Sequence, residues 1–513
     1  MDKQFNDKTN NMTEEQVRCL TRFKMRRFFD EIEKKAKRLK PEKFIPYVLK
    51  FFHNPMRREI IGPHTILQAI EANCAYHKSG YDEEITHKKF ADIINLIMKS
   101  EEENDFYLWS IHNRLEIFFQ FINRIQIEVQ KTGFSKYYLS RYWNLFYDND
   151  HIRKMHNDFE NIYKISVEKW FLCSFAMYAM FAKDFIIPKE FKISSSMSID
   201  ENDISTYLNF SCYSVAEIQE RYFETRKNIK EEFHFLVRTV FVERPIVLLD
   251  GDQLVAPVPE LLFRHMGHGL NDLFEKIDSS YGCYLGKAFQ EYTKKTLNCL
   301  SNVVLYSNEE LEKLSAGDKS CDFLLATQSE NILIECKAID LKVRTLTENA
   351  IFNSNAFSKI KDGICQIDNT LNNIMNGKLC LPGIDTKKPF LKMVVTFGEM
   401  FGFNSDWIFN KMCPQINYDE EKNLKPMIFS IAGLEKFVLY IENSSESLID
   451  IYHAKRKDGY FATGDWDNYL SSKIASIKPI KNDINFLNEG FDSMLDKFEI
   501  DFAGRENILD DHD

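Results

Sequence analysis

Apolar residues recur at spacings of three and four from about Met12 to Glu243, a period that predicts helices throughout this span. Between Glu14 and Lys40, Val17, Leu20, Phe23, Phe28 and Ile32 alternate with a dense set of Lys and Arg. That pattern describes a solvated amphipathic helix, with a nucleic-acid or partner contact as the second reading. Helical spacing returns over Phe106–Gln130 and Ser214–Val240, and Pro188 to Asp203, carrying Ser194, Ser195, Ser196 and Ser198, reads as a loop. The longest apolar run, Trp170 to Ala182, has 13 residues and lies between Lys169 and Lys183. It is too short to cross a bilayer and reads as a buried core helix.

The texture changes near Arg244. Pro245–Leu249 and Gln253–Pro257 flank Asp250-Gly251-Asp252, the pattern of a β-hairpin. A helix is expected from Val258 to Ile277; it carries His265 and His268 three residues apart, a spacing that suits a metal only if a third ligand joins them. Beyond Ser280 the pattern predicts a helix over Tyr281–Leu300 and a strand over Val303–Tyr306. A polar loop over Ser307–Ser320 and two strands over Asp322–Thr327 and Asn331–Ala338 come next. A long helix over Asn355–Met375, a strand over Lys392–Phe397 and another over Met427–Ile431 complete the series. The last 24 residues, from Gly490, read as an acidic, partly disordered tail. The fold class expected is α+β, in four parts: a helical region over 1–243, a hairpin and helix connector over 244–280, an α/β core over 281–445 and an extension over 446–513.

The 513 residues are 44% hydrophobic, enough for sizeable cores, and carry a formal net charge of -11. No global positive field draws such a chain to nucleic acid, so any contact of that kind needs a local basic patch. Residues 281–400 carry 14 basic and 14 acidic side chains, so this stretch is less acidic than the rest. Eleven cysteines without a C-x-x-C pair argue against a zinc site or a disulfide framework and fit a reducing cytoplasm. The polar start, MDKQFNDKTNNM, lacks the apolar core of a secretory signal, and no phosphate-binding glycine loop occurs.

The strand Ile332-Leu333-Ile334-Glu335-Cys336-Lys337-Ala338 carries the candidate chemistry. Alternation puts Glu335 and Lys337 on one face and Cys336, a small buried apolar residue, on the other. Apolar residues on both faces mark an interior strand, where ionisable groups are costly unless paired or functional. With the preceding turn centred between Gln328 and Ser329, Asp322 falls opposite Glu335, with Cβ atoms roughly 5 Å apart. Two carboxylates this close repel unless a cation lies between them, and a hard divalent ion favours such oxygens.

Residues 281 to about 431 resemble the PD-(D/E)XK nuclease superfamily, the restriction-endonuclease-like fold, through Cys321-Asp322 and Glu335-Cys336-Lys337. The resemblance implies an order of helix, three strands, helix and strand, with Asp322 and Glu335 as Mg²⁺ or Mn²⁺ ligands and Lys337 as the catalytic lysine. Gly286-Lys-Ala-Phe289-Gln290-Glu291-Tyr292 is similar to the helix that precedes many such cores, with Gln290 where an acid is usual and Glu291 one residue later. Gln366 resembles a supporting helix glutamine, and Lys342, Arg344, Lys359 and Lys361 are candidate phosphate contacts.

The function expected is metal-dependent hydrolysis of nucleic acid, DNA favoured over RNA, in a cytoplasmic protein of anti-phage defence or restriction. The role in defence is an analogy drawn from layout. A homo-oligomer or a partner protein of a defence system fits the same reading. Two alternatives stand beside it: an RNA-cleaving effector, and a non-catalytic nucleic-acid-binding or scaffold protein that retains the fold. A scaffold has no need of Asp322, Glu335 and Lys337 together. The many Phe residues have core spacing rather than that of a single-strand stacking platform.

Overall fold

The computed structural model describes residues 13–497, apart from 55–60, 111–135, 192–197, 230–233, 235–236, 315–318, 342–351, 415–423, 459–463, 478–479 and positions 251, 401, 445 and 481. The chain is a mixed α and β protein with two mixed sheets among the described residues. Most of the 13–243 span is helical, as expected, including Glu14–Ala36, Pro63–Tyr76 and Val167–Lys183. The last of these contains the Trp170–Ala182 run, and Trp170, Phe171 and Leu172 are buried in the core. The helix His87–Ser110 covers the start of the stretch expected from Phe106; residues 111–130 lie outside the described residues.

Three-residue strands break the helical span. β1 (Ile186–Pro188) and β2 (Cys212–Ser214) join the predicted hairpin, β3 (Ile246–Leu249) and β4 (Gln253–Val255), in a sheet of order β1-β4-β3-β2. The helix predicted over Ser214–Val240 correspondingly ends at Arg226, with Ser214 as its N-cap. This sheet is a layer between two cores. Val247, Leu249 and Val255 face the amino-terminal helices, whereas Ile246 and Leu254 face the main core, the alternation a strand imposes.

The second sheet has the order β5-β6-β7-β8-β9: β5 (Val304–Ser307), β6 (Phe323–Ala326), β7 (Asn331–Lys337), β8 (Phe390–Thr396) and β9 (Met427–Ser430). β5, β6 and β7 pair antiparallel, while β7, β8 and β9 pair parallel. A parallel connection needs a crossover, supplied here by the helix Asn355–Met375, whose bounds match the 3–4 spacing. Ile360, Ile364 and Ile367 of that helix cover one face of the sheet with Leu324, Leu333 and Val394. The other face, with Phe323, Leu325, Ile332 and Ile334, packs beneath Phe289 and Tyr292 of the helix Tyr281–Leu297. The Ser307–Ser320 stretch is only partly loop, since Asn308–Leu314 is helical and buries Leu311.

Two further corrections concern the ends of the core. The expected helix over Val258–Ile277 is broken into Leu261–Arg264, a π-turn at His265–Gly269, and Leu270–Glu275. A Cβ at Gly267 would meet the Tyr142 ring at 2.6 Å, so only glycine lets Tyr142 approach the π-turn this closely. The tail assigned from Gly490 instead begins inside the helix Asn485–Lys497, which buries Phe491, Met494 and Leu495 against the helix Lys136–Tyr142. Residues 498–513 lie outside the described residues.

The helical half and the 281–445 region share part of their core, while the amino-terminal helices and the crossover-helix face of the main sheet have clusters of their own. A single apolar cluster runs from Leu139 through Trp170, Phe274, Phe289 and Ile334 to Leu495. A buried ion pair crosses the same boundary: Arg141 Nε and Nη2 donate to Glu435 at 2.7 and 2.6 Å, and Tyr292 Oη donates to Glu435 at 2.5 Å.

Candidate active site

The β6–β7 register pairs Phe323 with Ile334 and Ala326 with Asn331, as the turn position predicts. Continued by one residue, it sets Asp322 across from Glu335. The backbone N–H of Cys336 donates to Asp322 Oδ2 at 2.6 Å, which closes the strand pair through a side chain. Gln290 Nε2 donates to Asp322 Oδ1 from the helix Tyr281–Leu297. Asp322 and Glu335 are 5% and 2% exposed, so both carboxyls are held out of solvent.

Lys337 Nζ donates to Glu335 Oε1 at 2.5 Å and to Gln366 Oε1 at 2.6 Å. Glu335 Oε2 is buried and has no hydrogen-bond partner among the described residues. The crossover helix passes close above this group at Gly363. A Cβ there would lie 3.1 Å from Lys337 Cε and 3.3 Å from Glu335 Cγ. Burial, and then the Asp322 charge, push Glu335 up to about 7; burial also raises Asp322, against the opposing pull of its hydrogen bonds from Cys336 and Gln290. Two adjacent buried carboxyls that both resist ionisation mark a place where negative charge is held at a cost.

The structure thus brings Asp322, Glu335, Lys337, Gln290 and Gln366 together. Glu291 is directed elsewhere: its Oε2 accepts from Asn149 Nδ2 at 3.1 Å and its Oε1 lies 3.6 Å from Lys295. Successive helix residues point about 100° apart, so only one of Gln290 and Glu291 can face Asp322. Lys359 and Lys361 are exposed on the crossover helix, whereas Lys342 and Arg344 lie outside the described residues. His265 and His268 do not form a metal pair. His268 Nδ1 is 2.9 Å from Asp340 Oδ2 and its Nε2 is 3.0 Å from Tyr142 Oη, while His265 is buried among Trp170 and Tyr207.

A second group of acids escaped sequence reading. Glu399, Asp465 and Asp467 line one small cavity beyond β8 and β9, and the 65 residues between Glu399 and Asp465 leave no local motif to find. Among the described residues, no three His, Cys, Asp or Glu side chains form a metal cage, and no helix is long and apolar enough to cross a membrane. No family model matches the chain, and no curated protein or solved structure does.

Proposed function

We propose that the protein is a metal-dependent phosphodiesterase acting on nucleic acid, DNA before RNA, with a PD-(D/E)XK-type site at Asp322, Glu335 and Lys337. The observation that carries this reading is the free, buried Oε2 of Glu335, facing Asp322 and flanked by the Lys337 ammonium. Mg²⁺ is commonly held by one or two carboxylates, with water and substrate phosphate completing its shell, so this pair fits Mg²⁺ or Mn²⁺ without a third acid. Bound there, the ion would polarise a phosphate oxygen and acidify a water. Gln290 and the Cys336 N–H fix the orientation of Asp322. Gln366 holds the lysine ammonium, which can donate to charge developing on the phosphorus oxygens. Lys359 is a candidate contact to backbone phosphate beside the site. The sheet order, with a helix before β5 and a crossover between β7 and β8, is in keeping with a restriction-endonuclease-like core. A cytoplasmic role in anti-phage defence extends the same proposal.

One observation favours a second reading. Lys337 Nζ is already engaged by Glu335 and Gln366, which would suit a buried ion pair in a non-catalytic binding protein. In that case its loss would cost about 3–5 kcal/mol of stability and no activity. Incubation with plasmid DNA, single-stranded DNA and RNA, in Mg²⁺ and in EDTA, tests the proposal. Cleavage that requires the metal and is lost in folded Lys337→Ala supports it. Cleavage that survives rigorous chelation, or proceeds at the parent rate in that variant, rules the site out.

A further inference from the structure

A cavity of about 200 Å³ lies where the helical half meets the main sheet; its charged lining is Arg238, Arg264, Glu243, Asp272 and Asp340, with His268 beside them. Asp340 is three residues beyond Lys337 and belongs to the wall through its carboxylate. It is already well served: His268 Nδ1 lies 2.9 Å from its Oδ2 and Arg264 Nη2 3.6 Å from it. Those charges hold Asp340 far below the usual carboxylate range despite its burial.

Arg238 is the group left over. Its Nε is buried and has no hydrogen-bond partner among the described residues. Burial, and then the like charge of Arg264, push the guanidinium down to about 10. The backbone that presents it is firmly anchored. The next residue, Thr239, donates from Oγ1 to the buried Glu71 at 2.5 Å, and Val240 N donates to the same oxygen at 2.6 Å. Arg226 Nη2 lies 3.3 Å from the other oxygen of Glu71. The charges of Asp340 and Asp272 pull the other way, yet the buried Nε–H still lacks an acceptor, which is costly beside a second guanidinium. An anion with several acceptor oxygens relieves both, and the forked donors of arginine match phosphate geometry in particular.

We propose that this cavity binds a phosphate group, free or carried by a small molecule, between Arg238 and Arg264. Its volume is below the roughly 300–1,000 Å³ of pockets that enclose drug-sized ligands, so a phosphate with a small substituent fits and a polynucleotide backbone does not. The site stands independently of the nuclease reading.

The test is calorimetric titration of the full chain, at constant ionic strength, with inorganic phosphate, a nucleoside monophosphate and the parent nucleoside. Saturable one-to-one binding of either phosphate is expected, weakened about ten-fold or more in Arg238→Gln because a charge-assisted contact is lost. The nucleoside is expected not to bind. Tighter binding of the monophosphate identifies an ester as the ligand, and equal binding identifies phosphate itself. The melting temperature of Arg238→Gln checks that the variant is folded, since the change also removes an attraction to Asp340. No saturable binding at millimolar phosphate or monophosphate, or equal affinity in the folded variant, would each overturn the site.

Discussion

Two groups of acids sit at the same end of the main sheet and differ in how their charge is handled. At β6 and β7, Asp322 and Glu335 are supplied with donors: Gln290, the Cys336 N–H and the Lys337 ammonium. Beyond β8 and β9, Glu399, Asp465 and Asp467 mainly feel one another. Burial followed by the charges of Asp467 and Asp465 pushes Glu399 up to about 8, and burial followed by Asp467 pushes Asp465 up to about 7. Their cavity, about 10 Å³, has hardly room for one water. The first group leaves a carboxylate oxygen free beside a fixed cation, an arrangement suited to chemistry. The second sets three acids around a small space, and, like the raised Glu335, it makes stability depend on pH.

The largest expected contrast is in activity. Lys337→Ala and Glu335→Gln should each lower single-turnover cleavage by roughly 10²-fold or more, with substrate affinity little changed. Glu399→Gln should cleave at the parent rate. Equal losses at both clusters would erase the distinction. A smaller loss, expressed in binding and its salt dependence, is expected for Lys359→Ala, and the double variant Glu33→Ala, Lys35→Ala should leave the chemical step intact.

Packing separates the clusters next. A Cβ at Gly433 would run into Asp467 Oδ1, whose carboxylate is tied to Ser430 Oγ at 2.5 Å and cannot easily retreat. Gly433→Ala should therefore destabilise by about 1–3 kcal/mol in denaturant unfolding. At Gly363 the nearest atom is the flexible end of Lys337 at 3.1 Å, so Gly363→Ala should cost less stability while disturbing cleavage. The reverse order of stabilities would show that the first cluster is the more rigid one.

The smallest contrast is in pH dependence. Asp465 and Glu399 have folded-state pKa values raised above those of the unfolded chain, so they favour folding below the ordinary carboxylate range. That contribution is lost as pH rises through about 7 and about 8. Lys455, Lys436, Arg264 and Asn404 oppose the shift without cancelling it. Melting temperature should fall as pH rises from about 4 to about 8, and Asp465→Asn should flatten that slope. An unchanged slope in the variant would place the titration elsewhere.

The first cluster was legible in the sequence because its residues lie within 16 positions, on two strands joined by a turn whose centre dictates the pairing. Gln290 and Gln366 were legible only as candidates, since their helices had to be docked before either could be seen to touch the strand pair. The second cluster was invisible for want of any local period. β1 and β2 were missed because three residues are too few to show alternation among helical neighbours. The helix Asn485–Lys497 was missed because its apolar side chains lie on both sides of Gly490, where acidic composition was read as a tail. A Cβ at Gly490 would collide with Asn144 and Ser140, so the residue at which the tail was set to begin lies in close contact with a neighbouring helix.

Glu435 answers at once to Arg141, nearly three hundred positions earlier, and to Tyr292. A lineage that exchanged residues 1–243 for another helical module would strand that carboxylate in an apolar interior and remove the side chains from Leu139 to Phe181 that share a core with the sheet. The two halves of this chain are therefore coupled through their interior, and chimeras cut between Glu243 and Arg244 are expected to be recovered only when both sides come from the same parent.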